Sequence, residues 1–272
     1  MSFSDRERSL ADGQAISLYD FRLGPIRWTY TTANRDIEFN NMTFRARPVS
    51  DDGRRMTGQV SADIMTVTGP SDLEVAQLYR GARPSKAPTL TVWDIHWNEP
   101  QGLVVWMGRI DEVNWPADSR VQIKCRLLGT EPRTSISLAW GRECPYTVFD
   151  HNCRADREQY RVPFTVELRD GNSVTGAGNA IGGYPDAWFR GGYVEWDSGQ
   201  GVIEQRGIQQ HTGNRLVLVG GTSLLAPGTR AVAFPGCDQL IQTCNDKFNN
   251  TANCGAVPFL PGKSPFDGDP WW

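Results

Sequence analysis

Six cysteines and their spacing constrain this chain more than any other feature. Cys144 and Cys153 form a C-x8-C pair, Cys237 and Cys244 form a C-x6-C pair with Cys254 close behind, and Cys125 stands apart. Two thiol pairs far apart in sequence point to two loops closing on one inorganic centre, which would fold the C-terminal half around a metal. Thiolates suit soft or borderline metals, and four of them fit either zinc or an iron–sulfur cluster. Structural zinc sites favour tight knuckles with roughly two to four residues between cysteines, because one turn must aim both sulfurs at a small ion. The sequence has no such knuckle. A helix running through both Cys237 and Cys244 would set them roughly 10 Å apart along its axis, a span better suited to a cluster than to one ion. Spacing alone leaves three states open: a cluster, zinc, and unliganded or oxidised thiols.

Composition narrows the setting. The chain has 272 residues, enough for two domains, and a formal net charge of -3. It lacks the basic excess that drives non-specific nucleic-acid binding. No apolar run approaches the roughly 20 residues of a membrane span. The polar start, Met1 to Arg6, lacks the apolar core of a secretory signal. Synthesis in a cytoplasm is therefore expected, where thiols stay reduced and favour metal ligation or burial over disulfides. The even count leaves a disulfide framework as the lesser alternative. With 28 Gly, 17 Pro and 28 aromatic residues (10 Trp, 11 Phe, 7 Tyr), and little helical periodicity, the composition is mainly β.

Alternating segments carry that expectation along the N-terminal half. Residues 15–21 and 26–30 alternate apolar and polar, and Ile37–Phe39 and Met42–Phe44 flank Asn40-Asn41, a pair that tolerates the positive φ of a tight hairpin. Ser71-Asp72-Leu73-Glu74 reads as a capping box and predicts a short helix over 71–79. Strands follow at 89–95, 103–107 and 121–127, the last the cleanest alternation, with Cys125 on its apolar side as a small buried hydrophobe. Residues 1–137 are thus expected to form a β-barrel or sandwich with one short helix and no catalytic cluster.

Residues 138–272 differ in character. Strands are predicted at 164–168, 193–196 and 216–219, the glycine-rich stretch 176–183 as a flexible connector, and a helix from Cys237 to Phe248. Pro258 to Trp272 reads as an extended tail, with Trp271-Trp272 packing on its own domain or in a neighbouring subunit's groove. The three histidines are scattered, and neither HExxH, GxSxG, a GKS/T phosphate loop nor an ordered GxGxxG occurs. An enzyme is not expected.

The segment Pro235-Gly236-Cys237-Asp238, with Thr243-Cys244, Lys247-Phe248-Asn249-Asn250, Asn253, Pro258 and Pro261-Gly262, resembles a phage and gene-transfer-agent tail-tip hub family. Members include gene-transfer-agent hub proteins and phage lambda tail-tip protein L. The N-terminal region with Asp72 to Leu78 and Gly108-Arg109-Ile110-Asp111 fits the same pattern more loosely. Family members carry a [4Fe–4S] cluster in a C-terminal domain, held by C-x8-C and then C-x6-C. The resemblance implies Cys144, Cys153, Cys237 and Cys244 as the ligands. It also implies N-terminal β-barrel hub modules, followed over 138–272 by a small α+β cluster domain with a β insertion at about 164–234. The long gap between Cys153 and Cys237 fits the gene-transfer-agent type. Cys254 stands where the family usually has an aromatic residue, and reads as a buried thiol or an alternative ligand. His151, between Cys144 and Cys153, reads as an exposed loop residue or as a hydrogen-bond donor near a cluster sulfur.

The function implied is that of a virion structural protein: a homotrimeric hub at the tail tip of a long-tailed particle, closing the tail tube and linking it to a central fibre. Its partners would be a distal tail protein ring and a central fibre protein, and its site of synthesis a bacterial cytoplasm. An iron–sulfur redox protein and a zinc-stapled binding module are the alternatives.

Overall fold

The computed structural model describes residues 15–54, 57, 63–97, 101–128, 141–199 and 201–260. Residues 261–272 of the expected Pro258–Trp272 tail, including Trp271 and Trp272, lie outside these residues, as does the junction at 137/138. The fold is mainly β, as the sequence predicts. Two compact units emerge: residues up to 133 with 198–204, and residues 134–197 with 205–272.

The first unit is built on a nine-stranded sheet. Its strands are β1 (Ala15–Leu23), β2 (Ile26–Thr31), β3 (Ile37–Phe39), β4 (Met42–Ala46), β5 (Ser50–Asp51), β6 (Ile64–Pro70), β7 (Thr89–His96), β8 (Gly102–Ala117) and β9 (Arg120–Leu127), in the order β3-β4-β2-β1-β7-β8-β9-β6-β5. Neighbours are antiparallel except β2 and β4, which run parallel. Asn40 and Asn41, at φ 50° and 58°, close the β3–β4 hairpin in the left-handed region their side chains tolerate.

Strand β1 is buried on both faces. Ile16 and Leu18 pack with Phe39, Phe44 and Ile95, whereas Tyr19 and Phe21 join Val92, Ile110, Ile123 and Cys125 in the larger core. The period-2 geometry of a strand sends these alternate residues to opposite sides. Cys125 is fully buried, and burial, helped by the nearby Asp111 carboxylate, pushes its thiol pKa up.

The capping box does not form. The helix is a single turn, α1 (Glu74–Gln77), entered through Leu73 with no side-chain cap. Leu73, Val75 and Ala76 are drawn into the core, and Glu74 pairs with Arg45 at 3.3 Å instead of reaching back to Ser71. Core burial outweighs a cap contributing about 1 kcal/mol.

The second unit holds a closed barrel of β10 (Val162–Asp170), β11 (Ser173–Gly176), β12 (Tyr193–Asp197), β13 (Ile203–Thr212), β14 (Arg215–Leu218) and β15 (Arg230–Phe234), ordered β10-β11-β14-β13-β12-β15. Phe164, Phe189, Val194, Trp196, Leu216 and Leu218 belong to its core. The stretch 176–183 is pinned rather than loose. Asn214 donates to the carbonyls of Gly176 and Gly178 and accepts from Gly182 N–H at 3.2 Å, and Ile181 is fully buried.

Candidate functional site

A lobe of the second unit carries five of the six cysteines. It consists of residues 141–160 before the barrel, and residues 235–260 after it, which include α2 (Ile241–Phe248). The helix begins four residues beyond Cys237, so the axial spacing expected of an all-helical Cys237–Cys244 pair does not apply. Cys237 sits in a loop because Asp238 and Gln239 are built as a turn. Asp238 accepts from Leu240 N–H at 3.0 Å and from the Thr243 hydroxyl at 2.8 Å, while Gln239 takes φ 67°.

Each cysteine is positioned by a local device. Asp150 accepts from the N–H groups of Thr147 (3.0 Å), Asn152 (2.9 Å) and Cys153 (2.6 Å), which winds the chain into a turn that presents Cys153. Cys144 N–H donates to Gln239 O at 2.8 Å, joining the first cysteine loop to the second. Helix α2 ends at Asn249, in the left-handed conformation, and Asn250 N–H closes on Cys244 O at 3.0 Å. The Asn250 side chain then donates to Cys153 O at 2.5 Å and lies 3.6 Å from Cys153 Sγ.

Two glycines permit close approaches that a side chain would obstruct. A methyl group at Gly236 would lie 1.9 Å from Arg190 O, and one at Gly255 would lie 2.8 Å from the Tyr146 ring and 2.9 Å from Pro145. Lys247 fastens α2 to the barrel. Its ammonium donates to Trp188 O and to Gly236 O (2.6 Å), and sits 4.6 Å from the Trp188 ring centre. Burial lowers its pKa to about 8.

The four cysteines singled out from the sequence come together, and Cys254 joins them. Cys237 is close enough to Cys144 and Cys153 for their charges to act on it. Cys244 is close enough to Cys254, Cys237 and Cys153 for their charges to act on it. Burial first, and then Cys254, pushes the Cys244 pKa up to about 12. All are free thiols. Two sulfurs accept backbone N–H groups: Cys144 from Gly255 at 3.3 Å and Cys237 from Gln239 at 3.4 Å. Among the described residues, no group of three His, Cys, Asp or Glu is drawn tightly enough to hold a single metal ion. His151 is exposed in its loop. A cavity of about 520 Å³, lined by Trp188, Arg190, Asp238 and Lys247, opens beside Cys237.

Under the cysteines lies an aromatic cluster. Phe149, at φ 67°, packs against Tyr160, Phe234 and Phe248 with ring centres 5.8–6.3 Å apart, and Tyr160 O–H donates to Phe248 O at 3.0 Å. The spacing of the cysteines flagged this lobe. No sequence signal marked Asp150, Gly255 or Phe149 as its supports.

Known proteins resemble both parts of the chain. Residues 22–156 match a family described as "Baseplate hub protein, N-terminal attachment domain", and residues 187–264 match "Phage conserved hypothetical protein BR0599". These matches support a phage tail or baseplate structural protein. A chain from a solved structure titled "Virion of native gene transfer agent (GTA) particle" has the same fold, with a TM-score of 0.78 at 21% identity, over 99% of this chain and 95% of that one. No curated protein sequence matches. Among the described residues no helix is long and apolar enough to cross a membrane.

Proposed function

We propose that this chain is a tail-tip hub protein whose C-terminal lobe is stapled by a [4Fe–4S] cluster on Cys144, Cys153, Cys237 and Cys244. The observation that carries this reading is an imbalance in the lobe. In 141–160 and 249–260 no residue is fully buried, yet both stretches are wound tightly around free thiols. Loops with so little buried apolar surface offset only part of a backbone ordering cost of roughly 1–2 kcal/mol per residue. An inorganic cross-link would supply the rest, at about 10 kcal/mol for a structural metal site.

The donor set fits that group. The ligands are thiols alone, they come from separate loops, and N–H groups point at two of the sulfurs, the contacts by which proteins tune cluster potentials. A cluster, when bound, supplies positive charge and four covalent tethers. The raised thiol pKa values of Cys237 and Cys244 mark what its charge would have to overcome.

Within a particle, three copies would form a ring that closes the tail tube and joins it to a central fibre. The first unit would meet a distal tail protein, and the stapled lobe would hold an interface rigid. The role is structural rather than enzymatic. Iron, sulfide and zinc analysis on protein purified without oxygen tests the core of this reading. About four iron and four sulfide per chain, with a broad band near roughly 400 nm, is the expected result. One zinc per chain and no colour would point instead to a zinc-stapled module.

A further inference from the structure

The nine-stranded sheet ends on β3, and a groove of about 680 Å³ lies beside that strand. Ile16, Ile37, Phe39 and Ile95 make it partly apolar, and Arg35 and Glu38 line it as well. Asn40 and Asn41 both take positive φ, so the β3–β4 hairpin is a two-residue turn closed by the hydrogen-bonded pair Phe39–Met42. The next pair, Glu38–Thr43, is then the open one, and its backbone groups point away from each other. Thr43 O turns to the β2 side, where it accepts from the Thr29 hydroxyl at 2.7 Å. Glu38 N–H and C=O turn the opposite way, off the edge of the sheet. Among the described residues no strand pairs with that edge. Backbone donors and acceptors beside an apolar groove are a template for one more strand.

Residues 1–14 lie outside the described residues, and the chain enters the described part at Ala15, opposite His96 and next to Ile16 of the groove. Just before that point stands Asp12-Gly13, a strong reversal signal. A reversal there sets residues 3–11 antiparallel to β1. Strand β3 runs in the same direction as β1, because β2 is antiparallel to β1 and parallel to β4, and β4 is antiparallel to β3. The reversed segment therefore meets β3 antiparallel. Nine extended residues reach about 30 Å, against roughly 10 Å for the three residues of β3. Arg6 and Arg8, two positions apart, share one face of a strand and match the exposed carboxylate of Glu38 in charge.

We propose that residues 3–11 of the same chain add to β3 as an antiparallel edge strand and fill this groove. The short tether, Asp12 to Gln14, holds the segment at an effective concentration in roughly the millimolar range, which the segment of a second copy would have to match. The added strand covers an edge that otherwise invites pairing with other chains. Nothing in this proposal depends on the cysteines.

The test is hydrogen exchange of the Glu38 amide, followed by NMR on the full chain and on a chain lacking residues 1–14. Exchange is expected to be at least about tenfold slower in the full chain, with the amides of β1 and β7 equally protected in both. Arg6→Pro/Glu7→Pro in the full chain covers a shortened chain that fails to fold. Adjacent N–H groups of a strand point to opposite sides, so one of the two prolines falls on the β3 side in either register and should release the Glu38 amide. A synthetic peptide of residues 1–14, added to the shortened chain, should restore the protection. Equal exchange with and without the segment overturns the proposal. Protection that rises with protein concentration overturns it too, because a second copy would then supply the strand.

Discussion

The nine-stranded sheet and the cysteine lobe reach order by opposite means. In the sheet, β1 buries Leu18 and Phe21 on opposite faces, and Phe21, Leu90, Val92, Ile110 and Ile123 are all fully buried. Each such side chain contributes about 1.5–3 kcal/mol, enough for burial to dominate. In the lobe, the buried apolar residues along 235–260 are Cys244 and Phe248, with Pro235 and Gly236 at the entry. Its order is carried by hydrogen bonds to sulfur and carbonyl, by turns fixed through Asp150 and Asp238, and by an aromatic floor. The contrast teaches that a β scaffold can be specified by apolar alternation, whereas a lobe of short loops is specified by hydrogen-bonded turns and single close contacts.

The sharpest way to break the contrast is to cut the proposed staple. Cys144→Ser is expected to remove the colour, to make residues 141–160 and 235–260 protease-sensitive, and to abolish particle assembly, with a loss on the order of 10 kcal/mol from the lobe. Limited proteolysis with mass spectrometry should find the sheet unit still resistant. Infectious particles from this variant would sink the staple.

The reciprocal change comes next in size. Phe21→Ala empties a site in the sheet core and should cost about 3–5 kcal/mol in denaturant unfolding of that unit. Iron per folded chain should stay at the wild-type value. A joint loss of iron would mean that the lobe depends on the sheet for its order.

Gly236→Ala probes the lobe without touching a thiol. The added methyl group has no room beside Arg190 O, so the Cys237 loop must shift, at a cost of about 1–3 kcal/mol. A lower melting temperature with weakened retention of iron against a chelator is expected. An unchanged retention half-life would show that Cys237 tolerates movement.

The smallest effect concerns the barrel. His211 is buried, its Nε2 lies 2.8 Å from Gly213 O, and desolvation lowers its pKa below 6.5. The unfolded chain therefore binds the proton more readily than the folded one. Barrel stability should be fully present above about pH 6.5 and fall as pH drops through the lowered folded value. His211→Phe should flatten that acid limb of the melting curve. A slope that survives the substitution would assign it to other groups.

Much of the scaffold was legible in the sequence. Residues 89–95 and 121–127 alternate because each strand has one buried face, and Asn40-Asn41 announces a turn through its own conformational tolerance. Strand β13 was not legible: IEQRGIQQHT offers Ile208 and His211 to the core amid polar residues, and its strand state comes from pairing with β14 across a bulge. Strand β15, Arg230–Phe234, is short and alanine-rich, and the closed barrel is what makes it a strand. Ser71 and Glu74 have the spacing of a capping box, but Leu73 is worth more to the core than the cap is to a one-turn helix.

The sequence by itself determined that the scaffold would be β and which residues could bind a soft metal, because strand periodicity and thiol chemistry are local properties. Only the tertiary structure decided that Cys237 leaves the helix, that Asp150 and Asn250 present Cys153, and that Gly255 returns to Cys144. Those outcomes depend on backbone turns and on contacts between segments nearly 100 residues apart, such as Asn250 with Cys153. Such contacts leave no periodic trace in the chain, since each rests on one hydrogen bond or one missing methyl group rather than on a repeated apolar face.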